Sequence, residues 1–87
     1  MERYEIVIKR SVYKDLRPIP NEDVVRILER IDSLAVDPRP AGCEKLTDQD
    51  KYRVRQGRYR IIYEITDRRL VVTVVKIGDR KQIYDRG

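Results

Sequence analysis

The period of the apolar positions changes along the chain. Over residues 4–9 (Y-E-I-V-I-K) every second residue is apolar, with Tyr4, Ile6 and Ile8 on one side. That period of two predicts a strand. Further on, Val24, Ile27, Leu28, Ile31, Leu34 and Ala35 recur at three and four. They form one apolar stripe and predict an amphipathic helix over 22–36. Asn21 can cap this helix, and Glu22 and Asp23 suit the positive end of its dipole. Between the two, Ser11 can cap a short helix over 12–17 that Pro18 ends, and Ile19-Pro20 is a tight connection. The stretch Asp37-Pro38-Arg39-Pro40-Ala41-Gly42 stops the long helix and forms a loop that suggests no chemistry. Residues 44–46 read as a short extended piece and 47–50 as a polar turn.

The second half alternates again. Strands over 52–56 and 58–65 flank Gln56-Gly57, where glycine supplies a positive φ for a hairpin turn. A turn on those two residues pairs Arg55 with Arg58, Val54 with Tyr59 and Arg53 with Arg60. Residues 66–69 form the next turn, and 70–77 (L-V-V-T-V-V-K-I) is the most strand-like run. Centring that turn on Asp67-Arg68 pairs Ile65 with Leu70, Tyr63 with Val72 and Ile61 with Val74, the expected core face. Arg60 then meets Val75, and Ile62 meets Thr73. Gly78 is expected to break the strand, leaving a last turn and short extended tail over 79–84.

The predicted order is β-α-α-β-β-β(-β). It implies an α+β fold: an antiparallel sheet with two N-terminal helices on one face and the other face open and basic. Residues 1–87 are expected to form a single domain. No repeat, linker or low-complexity segment interrupts it.

Charge sharpens this picture. Residues 1–50 carry nine Lys/Arg and eleven Asp/Glu, a net −2; residues 51–87 carry eleven and four, a net +7, so the basic character of the +5 chain resides in the strand-rich half. That asymmetry favours an acidic partner. On the hairpin, Arg53, Arg55, Arg58 and Arg60 are expected on one face, with Val54, Tyr59, Ile61 and Tyr63 on the other. Like charges opposed on a sheet repel, and a polyanion would relieve them. The plainer alternative is a solvated outer face. An apolar floor with a basic rim suits a stacked base beside its phosphates.

Composition excludes several chemistries. The chain has no His, so Ser-His-Asp, Cys-His and paired-histidine schemes are impossible. No carboxylate pair, metal-ligand cluster or glycine-rich phosphate loop stands out; Glu64 shares a face with Arg60, where a salt bridge is its ordinary role. The lone Cys43 forms no internal disulfide and fits a reducing compartment. No apolar stretch is long enough to span a bilayer, so a cytoplasmic protein without metal or cofactor is expected. Arg, Lys and Tyr remain. Arginine offers phosphate a permanently charged fork and can stabilise a phosphoryl transition state.

The succession L-x-x-D-P-R-P-x-G-x-x-x-L from Leu34, Y-R-V-R-Q-G-R-Y-R-I-I-Y from Tyr52 and V-V-K-I-G-D-R-K-Q-I-Y from Val74 resembles the RelE branch of the RelE/ParE toxin superfamily. The likeness runs through nearly the whole chain in order. It implies a microbial-ribonuclease-like fold and the toxin of a type II toxin–antitoxin system. Such a toxin is a ribosome-dependent mRNA endoribonuclease that enters the ribosomal A site, cuts mRNA and inhibits translation. It also implies an acidic RelB-like antitoxin, expected to cover the basic face or displace the tail. By position, Arg60, Arg80 and Tyr84 match catalytic residues. Arg53 and Arg55 match RNA-binding positions that are commonly Lys, and arginine cannot serve there as a base. Arg58 and Lys81 add RNA-binding charge. A ParE-like toxin that poisons DNA gyrase is the alternative, and a simple RNA-binding module a third.

Overall fold

The computed structural model describes residues 3–46 and 50–79. Its elements are β1 (Glu5–Ile8), α1 (Arg10–Leu16), α2 (Asn21–Ser33), β2 (Glu44–Lys45), β3 (Lys51–Gln56), β4 (Tyr59–Thr66) and β5 (Val71–Asp79). They form one five-stranded sheet of order β1-β5-β4-β3-β2. Val12, Ile19, Ile27, Ile31 and Leu34 from the helical segment bury against Val54, Tyr59, Ile61, Tyr63, Val72, Val74 and Ile77. None of the described helices is long and apolar enough to cross a membrane.

The fold is α+β, but the sheet is mixed rather than antiparallel. Strands β2 to β5 form the expected meander, while β1 lies parallel to β5, with Ile6 opposite Val72 and Ile8 opposite Val74. Local hairpins dictate antiparallel neighbours. The connection from β1 runs through two helices, so packing alone sets its direction.

Both helix starts differ from expectation. Lys9 and Pro20 hold the cap positions in extended conformation, and neither helix has a side-chain cap. Lys9 N–H bonds to the Val74 carbonyl at 3.0 Å, so the chain passes directly from sheet to helix and Ser11 falls inside α1. At α2 the Pro20 carbonyl accepts from Asp23 and Val24 at 2.9 and 3.0 Å, leaving Asn21 as the first helical residue. The helix ends at Ser33, and bonds to the third residue back tighten its last turn while Leu34 and Ala35 stay buried.

The hairpin registers also differ. Gln56 pairs with Tyr59, Arg55 with Arg60 and Val54 with Ile61, so the turn residues are Gly57 and Arg58. Gly57 has φ +62°, whereas Arg58 is not among the residues with positive φ. A single positive φ at the first central position is what a type II′ hairpin turn requires, and its twist matches the flanking strands. The shift is even, so the face assigned to each strand residue is unchanged. Between β4 and β5, Thr66 pairs with Val71 and Tyr63 with Val74, across a loop of residues 67–70. Leu70 therefore lies in the loop, at φ +56°. Its carbonyl accepts the Glu5 N–H at 2.7 Å, tying β1 to this turn.

A bulge interrupts β5 opposite Ile62 and Tyr63, after which Ile62 meets Lys76, Ile61 meets Ile77 and Arg60 meets Gly78. Unbroken alternation from Val72 and Val74 would drive Lys76 into the core. The extra residue instead buries Ile77, leaves Lys76 exposed and carries the strand through Gly78. Asp15 of α1 supports the change: its carboxylate accepts the Ile77 N–H at 3.1 Å and lies 3.6 Å from the Lys76 Nζ.

The proline-flanked loop is pinned by Arg39. Its guanidinium donates to both Asp67 oxygens at 3.3 and 2.9 Å and to the Tyr52 hydroxyl at 3.3 Å. Tyr4 donates to the same Asp67 at 2.7 Å, and Tyr63 donates to the Pro38 carbonyl at 2.7 Å. Burial first, then neighbouring Cys43, pushes the Tyr63 hydroxyl above the usual tyrosine range, so it remains a donor.

Two outcomes follow from this frame. Gly57→Ala lowers stability by about 1–2 kcal/mol, because no atom crowds the new methyl and the cost is the left-handed backbone alone. A urea titration should show a lower midpoint with an unchanged slope. The Asp67 carboxyl is held below its ordinary range by Arg39 first and Tyr4 second. A depressed folded-state pKa contributes stability above the unfolded value near about 4 and loses it as pH falls through the folded value. Asp67→Asn should therefore weaken the protein near neutrality and flatten its acid-side loss, as read by thermal melts across pH.

Candidate functional site

The sheet face away from the helices is built from alternate residues of β2, β3 and β4. Register sets Glu44 beside Arg53, and Arg55 directly across from Arg60. Arg53, Arg55 and Arg60 therefore share this face, as their parity in the sequence requires. The expected partners change: Arg53 faces Ile62 rather than Arg60, and Arg55 faces Arg60 rather than Arg58. Half-buried Ile62, Thr73 and Val75 accompany them. Ile62 pairs with Lys76 and Glu64 with Thr73, replacing the expected Ile62–Thr73 and Arg60–Val75 pairs.

Arg60 departs from the expectation of a solvated rim, because only 1% of it is exposed. Its cross-strand neighbour is Gly78, which has no side chain. A guanidinium is costly to bury. One held in the sheet surface is oriented before any ligand arrives, which is the arrangement that charge stabilisation needs.

Arg58 leaves the group. Its Nε donates to Asp79 Oδ2 at 2.8 Å and a terminal nitrogen lies 2.7 Å from the same oxygen. The guanidinium also sits 5.9 Å from the Tyr59 ring centroid, on the core-facing side of β4. The turn position of Arg58 permits this, since a turn residue is not bound by strand alternation. Arg80, Lys81 and Tyr84 lie outside the described residues.

Glu44 went unnoticed in the sequence. Arg53 donates to Glu44 Oε1 from Nε at 3.1 Å and from a terminal nitrogen as well. Those hydrogen bonds first, then the charges of Arg53, Arg55 and Arg60, hold the Glu44 carboxyl below its usual range. The signal was the short extended E-K-L piece next to Y-R-V-R, but a two-residue strand does not declare its partner. Arg39 was also missed, though an arginine between two prolines in a stiff loop is well placed to bind at a fixed point.

This face can neutralise clustered negative charge and hold a phosphate between rigid donor forks. Among the described residues, no group of three or more His, Cys, Asp or Glu could hold a metal ion.

Known proteins resemble this chain in sequence and fold. The family model for the ParE toxin of type II toxin–antitoxin systems, parDE, matches residues 6–84. A Methanocaldococcus jannaschii protein carrying the name toxin RelE1 is 28% identical over 86 residues, covering 94% of this chain and 96% of its own. The RelE–RelB complex of Pyrococcus horikoshii includes a chain 32% identical, with TM-score 0.81, covering 90% of this chain and 96% of that one. The RelBE2 toxin–antitoxin complex of Mycobacterium tuberculosis matches at 21% identity and TM-score 0.79 over 90% of this chain and 99% of that one, which is a likeness of fold.

Proposed function

Because this chain belongs to the RelE/ParE family of type II toxins, as a RelE-type member, we propose that it is a ribosome-dependent mRNA endoribonuclease. It cuts mRNA in the ribosomal A site and so inhibits translation. The observation that carries this reading is the gathering of Arg53, Arg55 and buried Arg60 on one sheet face, with Arg55 directly across from Arg60 and Arg53 beside Glu44. Arg60, with Arg80, neutralises the scissile phosphate. Arg53 and Arg55 hold adjacent phosphates, Lys81 extends the basic surface, and Tyr84 orients a base or the 2′-hydroxyl. That hydroxyl attacks phosphorus, the bond to the 5′-oxygen breaks, and the products are a 2′,3′-cyclic phosphate and a 5′-hydroxyl.

The chain has no His to act as acid or base, and its arginines do not exchange protons at neutral pH. Charge neutralisation and positioning carry the reaction. Positioning is worth roughly 7–11 kcal/mol in favourable cases, and a ribosome presenting a bent mRNA supplies it. The solved RelE–RelB complex of Pyrococcus horikoshii supports an antitoxin as the partner; the basic surface calls for an acidic one, and the proposed setting is the cytoplasm. The ParE name of the matching family model favours a second reading, a toxin that poisons DNA gyrase.

One labelled mRNA, incubated with and without programmed ribosomes holding an empty A site, separates these readings. Cleavage is expected on the ribosome and slow or absent on naked RNA. Equal cleavage in both tubes rejects ribosome dependence; no cleavage, with inhibited DNA supercoiling, supports the gyrase reading. Arg60→Ala and Arg80→Ala should each slow cleavage about a hundredfold or more and relieve growth arrest. Circular dichroism must accompany the Arg60 variant, since that side chain is buried. Full activity in a folded variant removes its residue from the mechanism.

A further inference from the structure

We infer that Glu44 is a built-in occupant of the arginine site: its carboxylate holds the place of a substrate phosphate, and an RNA strand must displace it to bind. This rests on the proposed RNA-cutting function and concerns how the same site selects its ligand. Register across β2 and β3 sets Glu44 beside Arg53, and two Arg53 nitrogens donate to one of its oxygens. A carboxylate and a phosphodiester offer a guanidinium fork similar pairs of acceptor oxygens. Arg55 and Arg60 add their charge at the same carboxylate. An acidic side chain thus lies where the proposed function requires substrate phosphate.

The occupant is held loosely enough to leave. The Glu44 side chain is 56% exposed, and exposed ion pairs are weak. Its strand has two residues, joined to the sheet through Glu44–Arg53 and Lys45–Tyr52. A strand with several adjacent phosphates engages half-buried Arg53 and exposed Arg55 together and outcompetes a single carboxylate. A lone phosphate monoester gains one contact and does not. Glu44 therefore discriminates in favour of polyanionic strands and keeps Arg53 paired when none is present.

The test is fluorescence anisotropy with a labelled single-stranded RNA 12-mer, over a salt series, on wild type, Glu44→Gln, Glu44→Ala and the double variant Glu44→Gln/Arg53→Gln. Both Glu44 variants should bind about three- to tenfold more tightly than wild type at low salt. Their log–log salt slope should steepen by up to about 0.7, the value of one further phosphate contact on a single strand. The double variant should lose the gain. Inorganic phosphate should compete better against Glu44→Gln than against wild type. Equal or weaker RNA binding by both Glu44 variants, with wild type binding, overturns this inference and leaves the proposed function standing. Unchanged binding with collapsed cleavage also overturns it, by making Glu44 a catalytic group. Failure of every protein to bind the 12-mer overturns this inference, while the ribosome assay still decides the proposed function.

Discussion

Strand β4 must serve two environments at once, and the rest of the molecule follows from that constraint. Ile61 and Tyr63 point into the apolar core, while Arg60 and Ile62 belong to the opposite face. A sheet strand does this only by strict alternation. Its neighbour β5 cannot alternate throughout, because Lys76 would follow Val72 and Val74 into the core. The bulge resolves the conflict: it buries Ile77, exposes Lys76 and sets Gly78 opposite Arg60. Asp15 receives the Ile77 N–H beyond the point where β1 stops pairing, so α1 takes part in fixing the strand that borders the basic face.

The same face carries an electrostatic problem. Arg55 and Arg60 oppose each other, and Arg60 is almost wholly buried. Opposed like charges and buried charge both cost stability. Glu44 offsets part of that cost from the edge strand, and Asp79 draws Arg58 to the other side of the turn. Arg53 and Arg55 stay accessible on that face, with Arg60 buried beside them in the sheet. At the far end of the sheet, Arg39, Asp67, Tyr4 and Tyr52 form a separate polar network. That network joins the proline-flanked loop, the start of β1 and the β4–β5 turn, and so closes the frame around the core.

The two levels of information divide cleanly. Local rules in the sequence determined the order of elements, the apolar stripe of α2, the faces of β3 and β4, and the grouping of Arg53, Arg55 and Arg60. Each depends on a period of two or three to four residues that side chains within one segment dictate. The motif order likewise made the family legible before any coordinate. Tertiary structure decided the rest. The direction of β1 depends on how two helices pack across the sheet. The bulge depends on keeping a lysine out of a core that no local window can see. The true hairpin turn arose from matching strand twist with one positive φ at Gly57 rather than from where a glycine usually sits. Glu44 joined the arginines only because a two-residue strand pairs with β3, and a contact between segments leaves no periodic trace in either one.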